Sequence, residues 1–128
     1  MSEQYAVVGP EDVEREPFPE SGIDHRKLTA ALGCTESRVN SVTLDPGEAT
    51  APHSHERQEE IYVALDGGTV VIENEAHRVP EGGVVRVGPE PDRSVRNDGD
   101  TPQRWVMVGA PPHGTVKDFG EYRVPDEG

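Results

Sequence analysis

From residue 38 onward, short β-branched runs and apolar/polar alternations are broken at regular intervals by turn-forming residues. Val39 to Leu44 is followed by Asp45-Pro46-Gly47, Glu60 to Leu65 by Asp66-Gly67-Gly68, and Thr69 to Glu73 by Asn74-Glu75. His77 to Val79 precedes Pro80-Glu81-Gly82-Gly83, Val84 to Val87 precedes Gly88-Pro89, Ser94 to Asn97 precedes Asp98-Gly99-Asp100, and Arg104 to Gly109 closes the series. Strands recurring roughly every ten residues predict an all-β sandwich or barrel. No helical period separates successive strands, which excludes βαβ crossovers and makes the sheets antiparallel.

The pattern is different before residue 38. Glu11, Asp12, Glu14, Glu16, Pro17 and Pro19 crowd the first segment, so residues 1–22 are expected to form an extended or loosely held arm and residues 23–128 a single domain. Asp24 is expected to cap a short helix through Leu28, Ala31 and Leu32, with Gly33 as its stop. The tail ending Val124-Pro125-Asp126-Glu127-Gly128 is expected to be a further loosely attached strand.

Composition supports this division and limits the partners. At 128 residues one domain is the expectation, and 14 Gly with 12 Pro suit many short strands joined by turns. The net charge is −13, and no Lys/Arg cluster offers the cationic face that phosphates require, so neither nucleic acid nor an anionic membrane is expected as a partner. Acidic excess with only Lys27 and Lys117 as lysines fits a cytoplasmic protein of a high-salt organism; an ordinary acidic surface is the alternative. No basic stretch leads into an apolar one at the N-terminus and no run approaches about 18 apolar residues, so a cytoplasmic location is expected. The single cysteine, Cys34, excludes an intrachain disulfide and is expected to be a small buried apolar residue.

The candidate chemistry lies between the first two strong strands. His53 and His55, two apart in an extended segment, project to one face, and a strand starting at Glu60 returns its carboxylate there if it pairs with the His segment through the Glu56 to Glu59 turn. Two imidazoles and one carboxylate suit Fe, Mn, Ni, Cu or Zn as a divalent ion rather than Ca or Mg, and leave coordination positions open. A His-x-His pair met alone is more often a solvated loop, and Glu59 and Glu60 alone would be surface charge. Glu59 is the alternative carboxylate. Tyr62 shares the inward face of Glu60 and is a candidate substrate-binding donor, with core packing as the other reading. His77 and His113 are expected to be solvated, with replacement of a missing ligand as the lesser reading; His25 is assigned to the polar arm, and Trp105 to the core or a dimer interface.

The run Gly47-x5-His53-x-His55-x4-Glu60-x6-Gly67 resembles the first motif of the cupin family at every fixed position, and Pro46 and Ile61-Tyr62-Val63 are similar as well. The resemblance covers about Val39 to Gly109. It implies an antiparallel jelly-roll (cupin) barrel with a metal inside, held by His53, His55 and Glu60. The second cupin motif, Gly-x5-Pro-x-Gly-x2-His-x3-Asn, is broken in the stretch that ends at Asn97. Asn97 is in place, but Arg93 stands at the fourth-ligand position, and Gly88 and Glu90 replace the usual Pro and Gly, with Pro89 and Pro91 beside them.

Guanidinium cannot ligate a metal. Three arrangements therefore stay open for Arg93: it offers its fork to an anionic substrate beside a three-ligand metal, it pairs with Glu60 in a metal-free cavity, or it turns to solvent. The expected function is a small metal-binding cupin that binds or transforms a small polar, anionic metabolite. The alternative is a non-catalytic barrel serving as a ligand sensor or structural dimer. The resemblance also implies a homodimer, with Tyr5-Ala6-Val7-Val8 as a candidate exchanged strand.

Overall fold

The computed structural model describes residues 4–19 and 21–112. Among these residues a 3-10 turn at Pro10–Asp12 is followed by nine strands and one short α-helix in the order β1 (Glu16–Pro17), β2 (Asp24–Lys27), α1 (Thr29–Leu32), β3 (Arg38–Leu44), β4 (Glu59–Ala64), β5 (Gly68–Ile72), β6 (Glu75–Val79), β7 (Gly83–Val87), β8 (Arg93–Arg96) and β9 (Gln103–Ala110). All pairings are antiparallel, in a six-stranded sheet of order β1-β2-β3-β9-β4-β7 and a three-stranded sheet of order β6-β5-β8. This is the expected all-β jelly-roll architecture.

The turn residues account for the strand boundaries. Glu73 and Asn74 both adopt positive φ, 49° and 65°, the backbone of a two-residue hairpin between β5 and β6. Gly67, the last residue of the first motif, has φ 79° and lies against the backbone of Val79 and Glu81, where a side chain would meet main-chain atoms. Asn97 pins the far end of the barrel: its Nδ2 donates to the carbonyls of Leu44 (2.9 Å) and Thr101 (2.8 Å), and its Oδ1 accepts from the Gly99 amide (2.8 Å).

Between the two sheets, Val42, Leu44, Tyr62, Ala64 and Trp105 from one meet Val70, Val79 and Val95 from the other or its flank. Trp105 is completely buried in this core, the first of its two expected places. Gly68 permits the contact, since a Cβ there would lie 2.6 Å from the Trp105 ring.

The inward residues of the larger sheet change character from one row to the next. Val42, Trp105 and Ala64 form an apolar row across β3, β9 and β4; the next contains Asn40, Met107 and Tyr62; and the last contains Arg38, Gly109 and Glu60. The interior therefore runs from a dry core at one end to charged groups at the other.

Three local expectations are corrected. Cys34 is only half-buried. Asp24 does not cap a helix; it begins β2 and pairs with Pro17, while the helix is one turn at Thr29–Leu32 with Leu28 at its N-cap and Gly33 in the left-handed conformation after it. His25 is 2% exposed and stacks on Phe18 with ring centroids 3.9 Å apart, rather than belonging to a solvated arm. His113 and the tail from Val124 to Gly128 lie outside the described residues. Among the described residues, no helix is long and apolar enough to cross a membrane.

Candidate metal centre

His53, His55 and Glu60 converge, but not through the pairing anticipated from sequence. β4 pairs with β7 and β9, whereas the His segment is bridged to β8, with the His53 amide donating to the Arg93 carbonyl (3.0 Å) and the Arg93 amide donating to the His53 carbonyl (2.8 Å). The His55 amide donates to Pro89 O (2.8 Å). The two imidazoles thus hang from the side of the smaller sheet and face a carboxylate on the larger one. The site is assembled across the barrel, not along neighbouring strands.

Glu60 Oε1 is the focus. His55 Nε2 lies 3.3 Å from it and His53 Nε2 3.4 Å. The Tyr62 hydroxyl donates to the same oxygen at 2.5 Å, and Arg93 Nη1 donates to it at 2.8 Å. Burial alone would raise the Glu60 pKa, but hydrogen bonding and charge from His53 and His55 outweigh it and hold the carboxyl well below the usual carboxylate range. Tyr62 is pushed in the opposite direction, well above an ordinary phenol, first by burial and then by the Glu60 charge, so it is a neutral donor. Glu59, the alternative carboxylate, points out and pairs with Arg86 at 3.0 Å. His77 is exposed beside Glu75.

The donor set fits a transition metal. One ligand atom each from His53, His55 and Glu60 lie within 4.8 Å of one another. The 3.3–3.4 Å contacts match the edge of a coordination polyhedron with bonds of about 2.0–2.2 Å. His53 Nδ1 is 3.3 Å from the Ala51 carbonyl, a partner that would keep its proton on Nδ1 and leave the Nε2 lone pair for a metal.

Arg93 is buried, with its side chain wholly out of solvent, and makes the ion pair with Glu60. The cause lies in the local sequence. Pro89 and Pro91 remove two N–H donors from the preceding loop, leaving an acceptor-rich stretch of backbone. Arg93 answers it: Nε donates to Pro91 O (3.0 Å), Nη2 to Pro89 O (3.4 Å), and Nη2 also to Gly88 O. The displaced prolines of the broken second motif and the arginine after them form one unit.

A cavity of about 60 Å³ opens beside the triad, lined in part by Phe18, Arg38, Gln58, Tyr62 and Met107. Arg38 and Gln58 were not singled out from sequence. Arg38 is 4% exposed and Gln58 1%, and Gln58 Nε2 donates to Pro111 O at 3.1 Å. Arg38 opens a strand just after a polar loop, where an arginine ordinarily marks the surface; only the alternation continuing inward through Asn40, Val42 and Leu44 could have exposed it.

A family model described as a cupin domain matches residues 40–109. An uncharacterized protein of Methanocaldococcus jannaschii is 31% identical over 68 residues, 52% of this chain and 54% of its own. The chain thus spans about half the length of that curated relative. Among solved structures, a sugar phosphate isomerase from a cupin superfamily of Silicibacter pomeroyi superposes with a TM-score of 0.72 at 22% identity, over 82% of this chain and 75% of that one. A predicted oxalate decarboxylase of Thermotoga maritima gives 0.71 at 20% identity (82% and 98%). The polyketide cyclase RemF of Streptomyces resistomycificus gives 0.72 at 24% (96% and 87%). At these identities the superpositions show the fold.

Proposed function

This chain belongs to the cupin family, and from that premise we propose that it holds a divalent transition metal on His53, His55 and Glu60 and there binds or transforms a small polar, anionic metabolite. The observation that carries the reading is the convergence of two imidazole nitrogens on one carboxylate oxygen from opposite sides of the barrel. Fe, Mn, Ni, Cu and Zn all suit the set. A metal bound there supplies Lewis acidity and open positions for a ligand.

The chain's own residues set the character of the centre. Glu60 brings one negative charge and Arg93 returns one positive charge to it, so a divalent ion would keep its full excess charge and draw an anion. Arg93 favours anions in this indirect way, because its own donors are taken by Glu60 and the loop carbonyls. Tyr62 orients Glu60 and presents its ring to the cavity that receives the ligand. A cytoplasmic homodimer with no nucleic-acid or membrane partner belongs to the same proposal, supported by the net charge of −13 and by the outer edges of the six-stranded sheet, which no strand among the described residues covers.

The 2.8 Å Arg93–Glu60 pair favours a second reading, a non-catalytic barrel in which Arg93, Tyr62 and the two histidines satisfy Glu60 without metal. Metal analysis separates the two. Protein purified without chelator is expected to carry close to one equivalent of a transition metal, and His53→Ala to lose it. Well under one equivalent, unchanged by His53→Ala, would establish the second reading, in which Glu60→Gln strands a buried guanidinium at a cost of about 3–5 kcal/mol.

A further inference from the structure

We propose that Arg38 is the anion anchor of this cavity and that the ligand is a small carboxylate with a short apolar stem, held between the Arg38 guanidinium and the metal centre. The inference rests on the proposed metal centre and names the ligand class for it.

Three observations converge on Arg38. First, it shares a cross-strand row with the site: Arg38 pairs with Gly109, and Gly109 pairs on its other side with Glu60, so both charged side chains project to the barrel interior. Their Cα atoms are roughly 10 Å apart, twice the ~4.8 Å strand spacing. Second, the residue between them has no side chain, which lets the Gln58 carboxamide come in between the two charged groups. A Cβ at Gly109 would run into the Gln58 carboxamide, so that amide and the cavity share the space. Third, Arg38 is buried, and among the described residues lining this cavity it alone is a lysine or arginine.

The remaining lining narrows the ligand. Phe18, Met107 and the Tyr62 ring supply apolar surface, and Gln58 supplies an amide held by Pro111. A planar guanidinium grips a carboxylate in a two-point fork. A cavity of about 60 Å³ admits a few non-hydrogen atoms beyond that group. Inorganic phosphate is the competing oxyanion, and the apolar wall opposes it.

The test is calorimetric titration of Zn(II)-loaded protein, and separately of EDTA-treated protein, with butyrate, butyramide and inorganic phosphate. Butyrate is expected to bind at least tenfold more tightly than butyramide and more tightly than phosphate. Arg38→Gln should erase the acid-over-amide preference while zinc stoichiometry stays at that of the parent. Arg38→Lys keeps the charge without the fork, guards against a folding defect, and should bind butyrate several-fold more weakly than the parent. Equal binding of acid and amide by the parent, or a preference that survives Arg38→Gln, overturns the proposal, and tighter binding of phosphate overturns the carboxylate assignment. If zinc does not bind but the EDTA-treated protein still prefers butyrate in an Arg38-dependent way, the metal reading fails and the anchor stands. A preference abolished by His53→Ala but untouched by Arg38→Gln would put the carboxylate on the metal and refute the anchor.

Discussion

At the scale of single residues, the functional question turns on Arg93. Its main chain is fixed to His53 by two hydrogen bonds, and its side chain reaches Glu60 Oε1, so the position faces the centre. Replacing guanidinium with imidazole should convert a cation beside the carboxylate into a fourth donor. Arg93→His is therefore expected to tighten Zn(II) binding by roughly tenfold or more, the scale of changes in a ligand shell, measured by competition with a chromophoric chelator. Weaker binding would mean that the imidazole cannot reach. Much at this scale was legible beforehand: the spacing from Gly47 to Gly67 named His53, His55 and Glu60, with Glu59 as the alternative carboxylate, and period-two alternation put Tyr62 on the face of Glu60. The engagement of Arg93 was not legible, because it depends on where the carbonyls of Gly88, Pro89 and Pro91 point, and spacing carries no such information.

At the scale of elements, strands with alternating apolar residues were predictable to within about two residues, β3 to β9 all being present. The failures share a cause. β2 has the sequence Asp-His-Arg-Lys, with no apolar residue to signal an inward face, yet it pairs along β3 and buries a histidine. β1 is two residues containing a proline. Such strands exist through their partners and leave no period of their own. The buried histidine also makes this edge sensitive to acid. The His25 pKa is lowered, chiefly by burial and then by Lys27, with Glu16 acting in the opposite sense. A folded-state pKa below the unfolded one means that the stabilisation is present above about pH 6.5 and is lost as the pH falls through and below that value. The melting temperature is expected to drop between pH 7 and pH 5, and His25→Phe, which keeps the stack on Phe18, to drop less over that interval. Parallel pH profiles for the two proteins would show that another group controls the acid limb.

At the scale of the whole molecule, the net charge of −13 on 128 residues implies strong self-repulsion at low ionic strength. Rising KCl is expected to raise the melting temperature steadily, beyond the first tenth molar where ordinary screening does most of its work; a flat profile would assign the charge to an ordinary acidic surface. Tyr5 and Val7, in the segment expected to exchange, are 78% and 89% exposed. If they pair with a second copy, light scattering should show a dimer that becomes a monomer on removal of residues 1–8, and an unchanged mass would refute strand exchange. The cupin barrel was readable from the first motif and the turn rhythm together. The meeting of opposite sheets at the triad was not, since local spacing says which residues share a face and not which faces come together.

The paired backbones of His53 and Arg93 have one more consequence. Because the main chain of each is held by the main chain of the other, the side chain at 93 can change while the His53 backbone stays in place. The exchange is not confined to that position, because the Glu60 carboxylate and the carbonyls of Gly88, Pro89 and Pro91 would each lose a donor. A new side chain at 93 therefore inherits a fixed seat and a set of unanswered acceptors.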